Sequence, residues 1–148
     1  MKHYDLTPIE NFLEEKNLTA NKVAKDLYVI GLTVSQLGLY CSQYIKSDAL
    51  KLTAETIGEA VYSLEIFATA FIENNLEEFF SQSIHPDEMS IHLRKGIDAY
   101  KNIVAGLTLS NVHNSDVDCM MRGRENYVVL LRELADLCPS INEISEKA

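Results

Sequence analysis

The sequence predicts an all-α fold, a single-domain bundle of about five helices around one central apolar helix. Apolar residues recur at helical spacing along most of the chain, no stretch alternates as a β-strand does, and no dipeptide typical of a hairpin turn occurs. With 148 residues the chain is long enough to bury a core without disulfides or metal ions. Since no repeat or linker is apparent, we expect one domain over residues 1–148.

The central helix is predicted from about residue 20 to residue 46. No charged side chain occurs over residues 27–45, and seven apolar residues spaced by alternating steps of four and three share one helical face. These residues are Val23, Leu27, Ile30, Val34, Leu37, Cys41 and Tyr44. Leu32 and Leu39 make a second face apolar, and a helix that is apolar nearly all round is normally buried.

All six glycines of the chain fall within predicted helices, where glycine lowers helix stability. In the central helix Ala24, Gly31 and Gly38 recur every seven residues along one line. Their lack of bulk lets a neighbouring helix approach closely, so we expect tight helix packing at the glycines.

The first helix is predicted to begin at Thr7-Pro8-Ile9-Glu10. Threonine and glutamate at this spacing can form a capping box, and proline is favoured at the first helical position. The helix should end near Lys16, with Asn17 in the left-handed conformation, and Thr19 should cap the central helix.

A third helix is predicted after Ser47-Asp48, with a pause at Asn74-Asn75. Its inward positions are Ile57, Val61, Leu64, Ala68, Phe71 and Ile72. If the helix continues through the asparagines, four carboxylates fall within a sector of about 40° and form one ridge. They belong to Glu55, Glu59, Glu73 and Glu77.

Two further helices complete the predicted bundle. Pro86 favours the start of a fourth helix over about residues 87–109, and a polar loop then leads to a fifth helix that ends near Leu137, before Pro139. The predicted core positions of these helices are Met89, Leu93, Ile97, Tyr100, Ile103, Val104 and Leu107, then Val117, Met121, Val128, Leu131 and Leu134. A capping-box pattern at Ser140-Ile141-Asn142-Glu143 predicts one last helical turn.

The net charge of −9 is concentrated in the middle of the chain. No Lys or Arg occurs between Lys51 and Arg94, whereas eight acidic residues do. Such a segment is typical either of a solvated face or of a surface that meets a basic partner.

The composition predicts a cytoplasmic protein with reduced thiols. Three widely spaced cysteines do not suggest a disulfide framework, and the N-terminal residues do not resemble a secretion signal. A membrane span over the uncharged run is disfavoured, because its Gln, Ser and Thr side chains would lie in lipid.

The segment His92-Leu93-Arg94-Lys95-Gly96 resembles the His-x-x-Lys-Gly core of histidine phosphotransfer domains. These helical bundles pass a phosphoryl group between response regulators. The resemblance implies that His92 is the nucleophile, that Lys95 neutralises phosphate charge and that Gly96 leaves room for a partner. It is confined to this pentad, since Ile97-Asp98-Ala99 departs from the small residues usual after the glycine.

Residues 14–27 resemble the opening of phage-repressor-like helix-turn-helix domains, with Ala24 and Leu27 at the packing positions. The recognition helix would be Thr33–Tyr40, which contains no Arg or Lys, and Tyr28 takes the turn position that normally holds glycine. A transcriptional regulator of this kind requires a break near residues 29–31. It also requires exposure of Thr33, Gln36 and Tyr40.

Two groups of potential metal ligands lack the spacing of known sites, so no metal site is predicted. They are His85, Asp87, Glu88 and His92, and then His113, Asp116, Asp118 and Cys119. The sequence also contains no Gly-rich phosphate loop, Ser-His-Asp series or nucleophile elbow. We therefore expect a protein that is not an enzyme and carries no cofactor.

The favoured functional prediction is a small acidic, non-catalytic binding protein that docks on a basic protein partner and inhibits or neutralises it. Immunity proteins, antitoxins and phage inhibitors of nucleic-acid enzymes present carboxylates where the enzyme expects phosphates. Direct binding of nucleic acid or of a membrane is not expected, and a homodimer through the glycine-lined faces is an alternative assembly. The predicted contact residues are Glu55, Glu59, Glu73, Glu77 and Glu78, with Tyr62 as an aromatic anchor.

Overall fold

The structure, a computed structural model, describes residues 3–44, 54–109 and 124–144, and within these ranges the chain forms six α-helices. They are α1 (Thr7–Lys16), α2 (Ala20–Tyr44), α3 (Ala54–Ile72), α4 (Leu76–Gln82), α5 (Pro86–Leu109) and α6 (Glu125–Leu137). A 3₁₀ turn, Cys138–Ser140, follows α6, and two short strands, β1 (His3–Tyr4) and β2 (Glu143–Ile144), lie near the two ends. The predicted all-α bundle is confirmed.

Helix α2 is the predicted central helix, and α3, α5 and α6 all pack against it. Leu27, Ile30, Val34 and Leu37 are fully buried, as the apolar stripe predicts. The side chains of Cys41, Tyr44 and Leu39 lie outside the described residues. The expectation that α2 is covered all round is wrong for Leu32, which is exposed, because the described neighbouring helices do not cover the side of α2 that bears it.

Leu64 of α3 packs at the junction of three helices. A Cβ added to Gly31 of α2 would stand 3.7 Å from the Leu64 Cβ, and one added to Gly96 of α5 would stand 3.5 Å from its Cδ1. The absence of side chains at these two glycines therefore lets α2 and α5 lie close to α3, as expected. The same explanation does not hold at Gly58, where an added Cβ meets no atom of the described residues within 4 Å.

The start of α1 differs from the sequence-based prediction, whereas its end agrees with it. Thr7 is the first residue of the helix rather than its cap, and its backbone N–H and hydroxyl donate to Asp5 Oδ1 at 3.0 and 2.6 Å. The predicted capping box is therefore wrong, and the two hydrogen bonds instead lower the pKa of Asp5. Asn17 does end the helix in the left-handed conformation, with φ 54°, and Thr19 Oγ1 accepts the Lys22 N–H at 3.1 Å, as predicted.

The third predicted helix ends at Ile72 and does not continue through the asparagines. Asn74 adopts a φ of 54°, and the N–H groups of Asn74 and Asn75 donate to the carbonyls of Phe71 and Ala70 at 3.3 and 3.1 Å. The predicted single ridge of carboxylates from Glu55 to Glu77 does not form, because this left-handed residue turns the chain before α4 begins.

The predicted core is otherwise largely confirmed. Its confirmed members are Leu64, Ala68 and Phe71 of α3, Met89, Leu93, Ile97, Tyr100 and Ile103 of α5, and Val128, Leu131 and Leu134 of α6. Val61 and Val104 are partly buried against this core. Ile72 is exposed instead of inward. Nothing is described for the side chains of Ile57 and Leu107 or for residues 110–123, which include Val117 and Met121.

The last helical turn predicted at Ser140-Ile141-Asn142-Glu143 is wrong. Glu143–Ile144 forms strand β2, which pairs antiparallel with β1, and the Asp5 N–H donates to the Asn142 carbonyl at 2.9 Å. Ile141 is buried in an extended conformation after the 3₁₀ turn, and this extended backbone favours strand pairing over a helix. None of the helices in the described parts of the chain is long and apolar enough to cross a membrane.

Candidate partner-binding surface

The structure places the predicted contact residues in two separate groups. Glu59 and Tyr62 are exposed on α3, and Glu73 is exposed directly after that helix. Glu77 and Glu78 lie on α4, beyond the turn at Asn74. Glu55 lies in the first turn of α3, but its side chain is outside the described residues.

The surroundings of Tyr62 follow from the pairing of α2 with α3. The Tyr28 hydroxyl and Thr69 Oγ1 are hydrogen-bonded at 2.8 Å, and Gly31 lies against Leu64. From the first contact to the second, the residue number increases on α2, from Tyr28 to Gly31, and decreases on α3, from Thr69 to Leu64. The two helices are therefore antiparallel. One turn further, Leu32 therefore lies beside Glu65 on the outer side of the pair.

This outer side carries four large apolar or aromatic side chains that remain accessible. Leu32 is 58% exposed, Tyr62 64%, Ile72 50% and Tyr28 37%. Exposed apolar side chains gathered on one face of a protein mark a contact surface more often than scattered ones do. We call this surface the Tyr62 face; it comprises Tyr28, Leu32, Tyr62 and Ile72 together with the exposed carboxylates of Glu59, Glu65 and Glu73.

The Tyr62 face is acidic along all of α3, which contains no Lys or Arg. Neither Glu59 nor Glu65 forms an ion pair with any described residue. Glu73 Oε2 accepts a hydrogen bond from Asn75 Nδ2 at 3.3 Å and forms no ion pair with any residue that the structure describes. Among the described residues, none supplies a cation to these three carboxylates.

Sequence reasoning identified Tyr62 but missed its apolar neighbours Tyr28, Leu32 and Ile72. The sequence pattern predicts a buried face for Leu32 and a core position for Ile72, because an apolar residue on a helix normally points inward. The only sequence signal for Leu32 is that it lies off the stripe of Val23 to Leu37. Whether another helix covers that side of α2 depends on how the helices pack, which the sequence pattern does not show.

The second acidic group borders a cavity of about 500 Å³ between α1 and the α3–α4 junction. Glu77 and Glu78 line it together with Glu10 of α1. Glu77 Oε1 accepts a hydrogen bond from His3 Nδ1 at 2.9 Å, which ties α4 to β1. The two groups therefore differ in form, since one is an open helix face and the other is a concave site.

The residues that resemble the phosphotransfer core lie on α5, but the space that the resemblance implies beside Gly96 is filled. His92 is partly exposed and Lys95 is exposed one turn further on. Gly96 is buried, and the Leu64 side chain packs against it, so the glycine serves the contact between α3 and α5. Room for a docking partner at Gly96 is therefore not present.

The break required for a helix-turn-helix domain is absent, because α2 runs continuously from Ala20 to Tyr44. Thr33, which should be exposed for DNA contact, is only 2% exposed. Its hydroxyl donates to the Val29 carbonyl at 2.8 Å and accepts from Arg124 Nε at 2.9 Å. Gln36 is exposed, and the Tyr40 side chain lies outside the described residues.

Within residues 3–44, 54–109 and 124–144 no three His, Cys, Asp or Glu side chains are grouped closely enough to hold a metal ion. His85 Nδ1 accepts the backbone N–H of Asp87 at 3.1 Å, so this ring serves the start of α5. The second candidate group, His113 to Cys119, lies outside the described residues.

No family model, curated protein or solved structure matches this chain significantly.

Proposed function

We propose that this chain is a non-catalytic binding protein that docks its Tyr62 face on a basic surface of another protein. The observation that carries the proposal is the combination of exposed apolar side chains with carboxylates on a helix that has no basic residue. An acidic face alone is well solvated and needs no partner. Exposed Leu32, Tyr62 and Ile72 on the same face supply apolar area that is stabilised by contact.

The two components have different roles in binding. Tyr62 is suited to be the anchor, because tyrosine buries a large ring at low entropic cost and is frequent at the energetic centre of interfaces. Glu59, Glu65 and Glu73 steer a basic partner into contact and fix its orientation. A partner that itself binds phosphate, such as a nucleic-acid enzyme or a toxin, would be inhibited because these carboxylates occupy its phosphate-binding surface.

The test compares charge reversals on and off the Tyr62 face. The full chain is used to capture partners from a lysate of its native host, and the affinity of each captured basic protein is then measured with purified components. One variant carries Glu59→Lys and Glu65→Lys. The matched control carries Glu14→Lys and Glu15→Lys, two exposed positions on α1 that give the same net charge.

We expect reversal on the Tyr62 face to abolish binding and the α1 reversal to leave it nearly unchanged. Tyr62→Ala should weaken binding by at least about tenfold, the loss typical of an anchor. Wild-type affinity should also fall steeply between about 50 and about 500 mM salt. Equal binding by the two double variants would refute the proposal.

A further inference from the structure

A groove runs along the Tyr62 face between α2 and α3. One edge of it is a row of α3 residues at alternating steps of four and three, which share one side of the helix and are not buried. We call them the α3 line; they are Gly58, Tyr62, Glu65, Thr69 and Ile72. At the rise of an α-helix, the line is about 20 Å long.

The other edge of the groove belongs to α2 and carries no charge. Tyr28 and Leu32 are exposed on this edge. One turn beyond Leu32, the antiparallel register places Ser35 beside Tyr62, and Ser35 is exposed as well. No charged residue occurs on α2 over residues 27–44. The groove therefore has an uncharged edge on α2 and an acidic edge on α3.

Gly58 weakens α3 without serving a helix contact in the described part of the chain. Glycine within a helix is less stable than alanine. At Gly31 and Gly96 the packing of Leu64 explains the glycine, whereas a Cβ added to Gly58 meets no described atom within 4 Å. A glycine at one end of an exposed line suits the close approach of an element from another molecule.

The shape of the groove favours a helix as its occupant. A strand cannot add here, because the backbone N–H and C=O groups of α2 and α3 are bonded within each helix. A helix instead packs a ridge of side chains between two others, and its contacts recur at steps of three and four residues. The α3 line has this spacing, and its length fits a partner helix of about 14 residues.

The charge of the face determines which helix fits. Glu59 and Glu73 lie beside the α3 line on the side away from α2, whereas Leu64, which contacts Gly31, lies on the other side. Together with Glu65 they form no ion pair with any described residue. A second copy of this chain is disfavoured as the occupant, because carboxylates would face carboxylates. A basic helix is complementary to this edge.

We infer that the basic partner docks through an amphipathic helix that lies in this groove. Its apolar side contacts Tyr62, Leu32 and Ile72, its Lys or Arg residues pair with the α3 carboxylates along one flank, and its backbone approaches α3 closely at Gly58. The inference rests on the proposed function, since it specifies which part of the partner meets the Tyr62 face.

The first experiment measures the binding of labelled peptides to the full chain by fluorescence anisotropy. The aligned peptide, about 18 residues long, carries leucines at alternating steps of three and four and lysines along one flank. A scrambled peptide has the same residues without a common face, and a neutral peptide has glutamine for lysine. A proline-rich peptide of the same charge tests an extended occupant.

We expect the aligned peptide to bind at least about tenfold more tightly than each of the other three. Its helical circular dichroism should increase on binding. Equal affinity of the aligned and scrambled peptides, or tighter binding of the proline-rich peptide, would overturn the inference.

Variants locate the peptide in the groove. Tyr62→Ala should weaken the aligned peptide about tenfold and Glu65→Gln about threefold, whereas Glu14→Gln on α1 is the matched control and should leave its affinity unchanged. Equal affinity in all three would place the peptide elsewhere and contradict the inference.

Gly58→Leu separates a contact with the partner from a role in the fold. Leucine favours a helix more than glycine does, so this variant should be at least as stable to urea as the wild type. Its side chain would stand in the groove and should weaken the aligned peptide at least about tenfold. A clear loss of stability would show that Gly58 packs within the chain, and unchanged binding would show that no helix approaches it; either result refutes the inference.

Failure of this inference can be distinguished from failure of the proposed function. The proposed function stands, and the helix is refuted, if charge reversal on the Tyr62 face abolishes binding of a captured basic protein but the aligned peptide binds no better than the scrambled one. Sedimentation velocity tests the remaining occupant. Self-association of the wild type that Tyr62→Ala abolishes would assign the face to a second copy of the chain and refute both.

Discussion

At the scale of single residues, Cys138 shows how burial sets the chemistry of a side chain. It is only 1% exposed, and burial, with a smaller contribution from the charge of Asp87, raises the pKa of its thiol to about 12. A cysteine in the unfolded chain has a pKa near 8.5, and at that pH the Cys138 thiol of the folded protein is still protonated. As pH rises from about 9 to about 12, the unfolded state therefore releases a proton that the folded state keeps, and this group's contribution to stability falls.

The first prediction is that native Cys138 resists alkylation. Iodoacetamide attacks the thiolate, so at about pH 8 the reaction at Cys138 should be at least about a hundredfold slower in the native protein than in urea. Mass spectrometry of the peptide that contains Cys138 separates its labelling from that of Cys41 and Cys119. Comparable labelling with and without urea would show that this thiol is not held in the core.

Burial could be predicted residue by residue only where a pattern repeats. Leu27, Ile30, Val34 and Leu37 form a long stripe, and all four are buried as expected. Leu32 has the same chemistry but is exposed, because its burial depends on which side of α2 the other helices cover. The Tyr62 face could therefore be found from the sequence only through its charges and Tyr62, and its apolar part required the packing of α2 on α3.

At the scale of elements, two asparagines end helices in the same way. Asn17 after α1 and Asn74 after α3 both have a φ of 54°, a conformation that asparagine adopts more readily than other residues with a Cβ. The turn at Asn74 brings α4 back onto the core, where Leu76 and Phe80 are buried and the Phe79 ring stacks on Phe67 at 6.0 Å. Burial of these rings stabilises the tertiary structure, and this stabilisation would be lost if α3 continued past Asn74.

The second prediction concerns that turn. Asn74→Ala should lower the free energy of unfolding by about 1 kcal/mol, because alanine is strained in the left-handed region. Asn74→Gly should be tolerated better, since glycine adopts this conformation without strain. Urea unfolding of the three proteins measures the difference. If alanine and glycine gave the same stability, Asn74 would not be the residue that sets the turn between α3 and α4.

The sequence predicted elements well where they are long and poorly where they are short. The helical phase of α2 and α5 extends over many turns, so their inward residues could be read from periodicity. Strands β1 and β2 have two residues each, which is too few for any alternation to appear. At Ser140 to Glu143 the capping-box pattern favoured a helix, but burial of Ile141 and pairing with β1 determined the outcome.

At the scale of the whole molecule, the two ends of the described chain are joined beside α4. Strand β1 pairs with β2, and Tyr4, between His3 and the Asp5–Asn142 hydrogen bond, is only 3% exposed. Its ring contacts those of Phe80 on α4 and His85 before α5, with centroids 6.1 Å from each. Tyr4 thus links both ends of the chain to the bundle, whereas Tyr62 contributes its ring mainly to the surface.

This contrast leads to the third prediction, in which one tyrosine maintains the fold and the other serves binding. Tyr4→Ala should lower the free energy of unfolding by about 3 kcal/mol or more, because it leaves a cavity in the core. Hydrogen exchange should then become faster at the Asp5 amide and along α4. Tyr4→Phe should retain most of the stability, and Tyr62→Ala should change it by no more than about 0.5 kcal/mol.

Chemical denaturation and hydrogen exchange of the three variants check this division. The result also determines how binding data on Tyr62→Ala are interpreted, since a loss of affinity indicates a contact only if the variant is as stable as the wild type. Equal destabilisation by Tyr4→Ala and Tyr62→Ala would contradict the division. The ring of Tyr62 would then be part of the α2–α3 packing, and the proposed docking surface would lose its anchor.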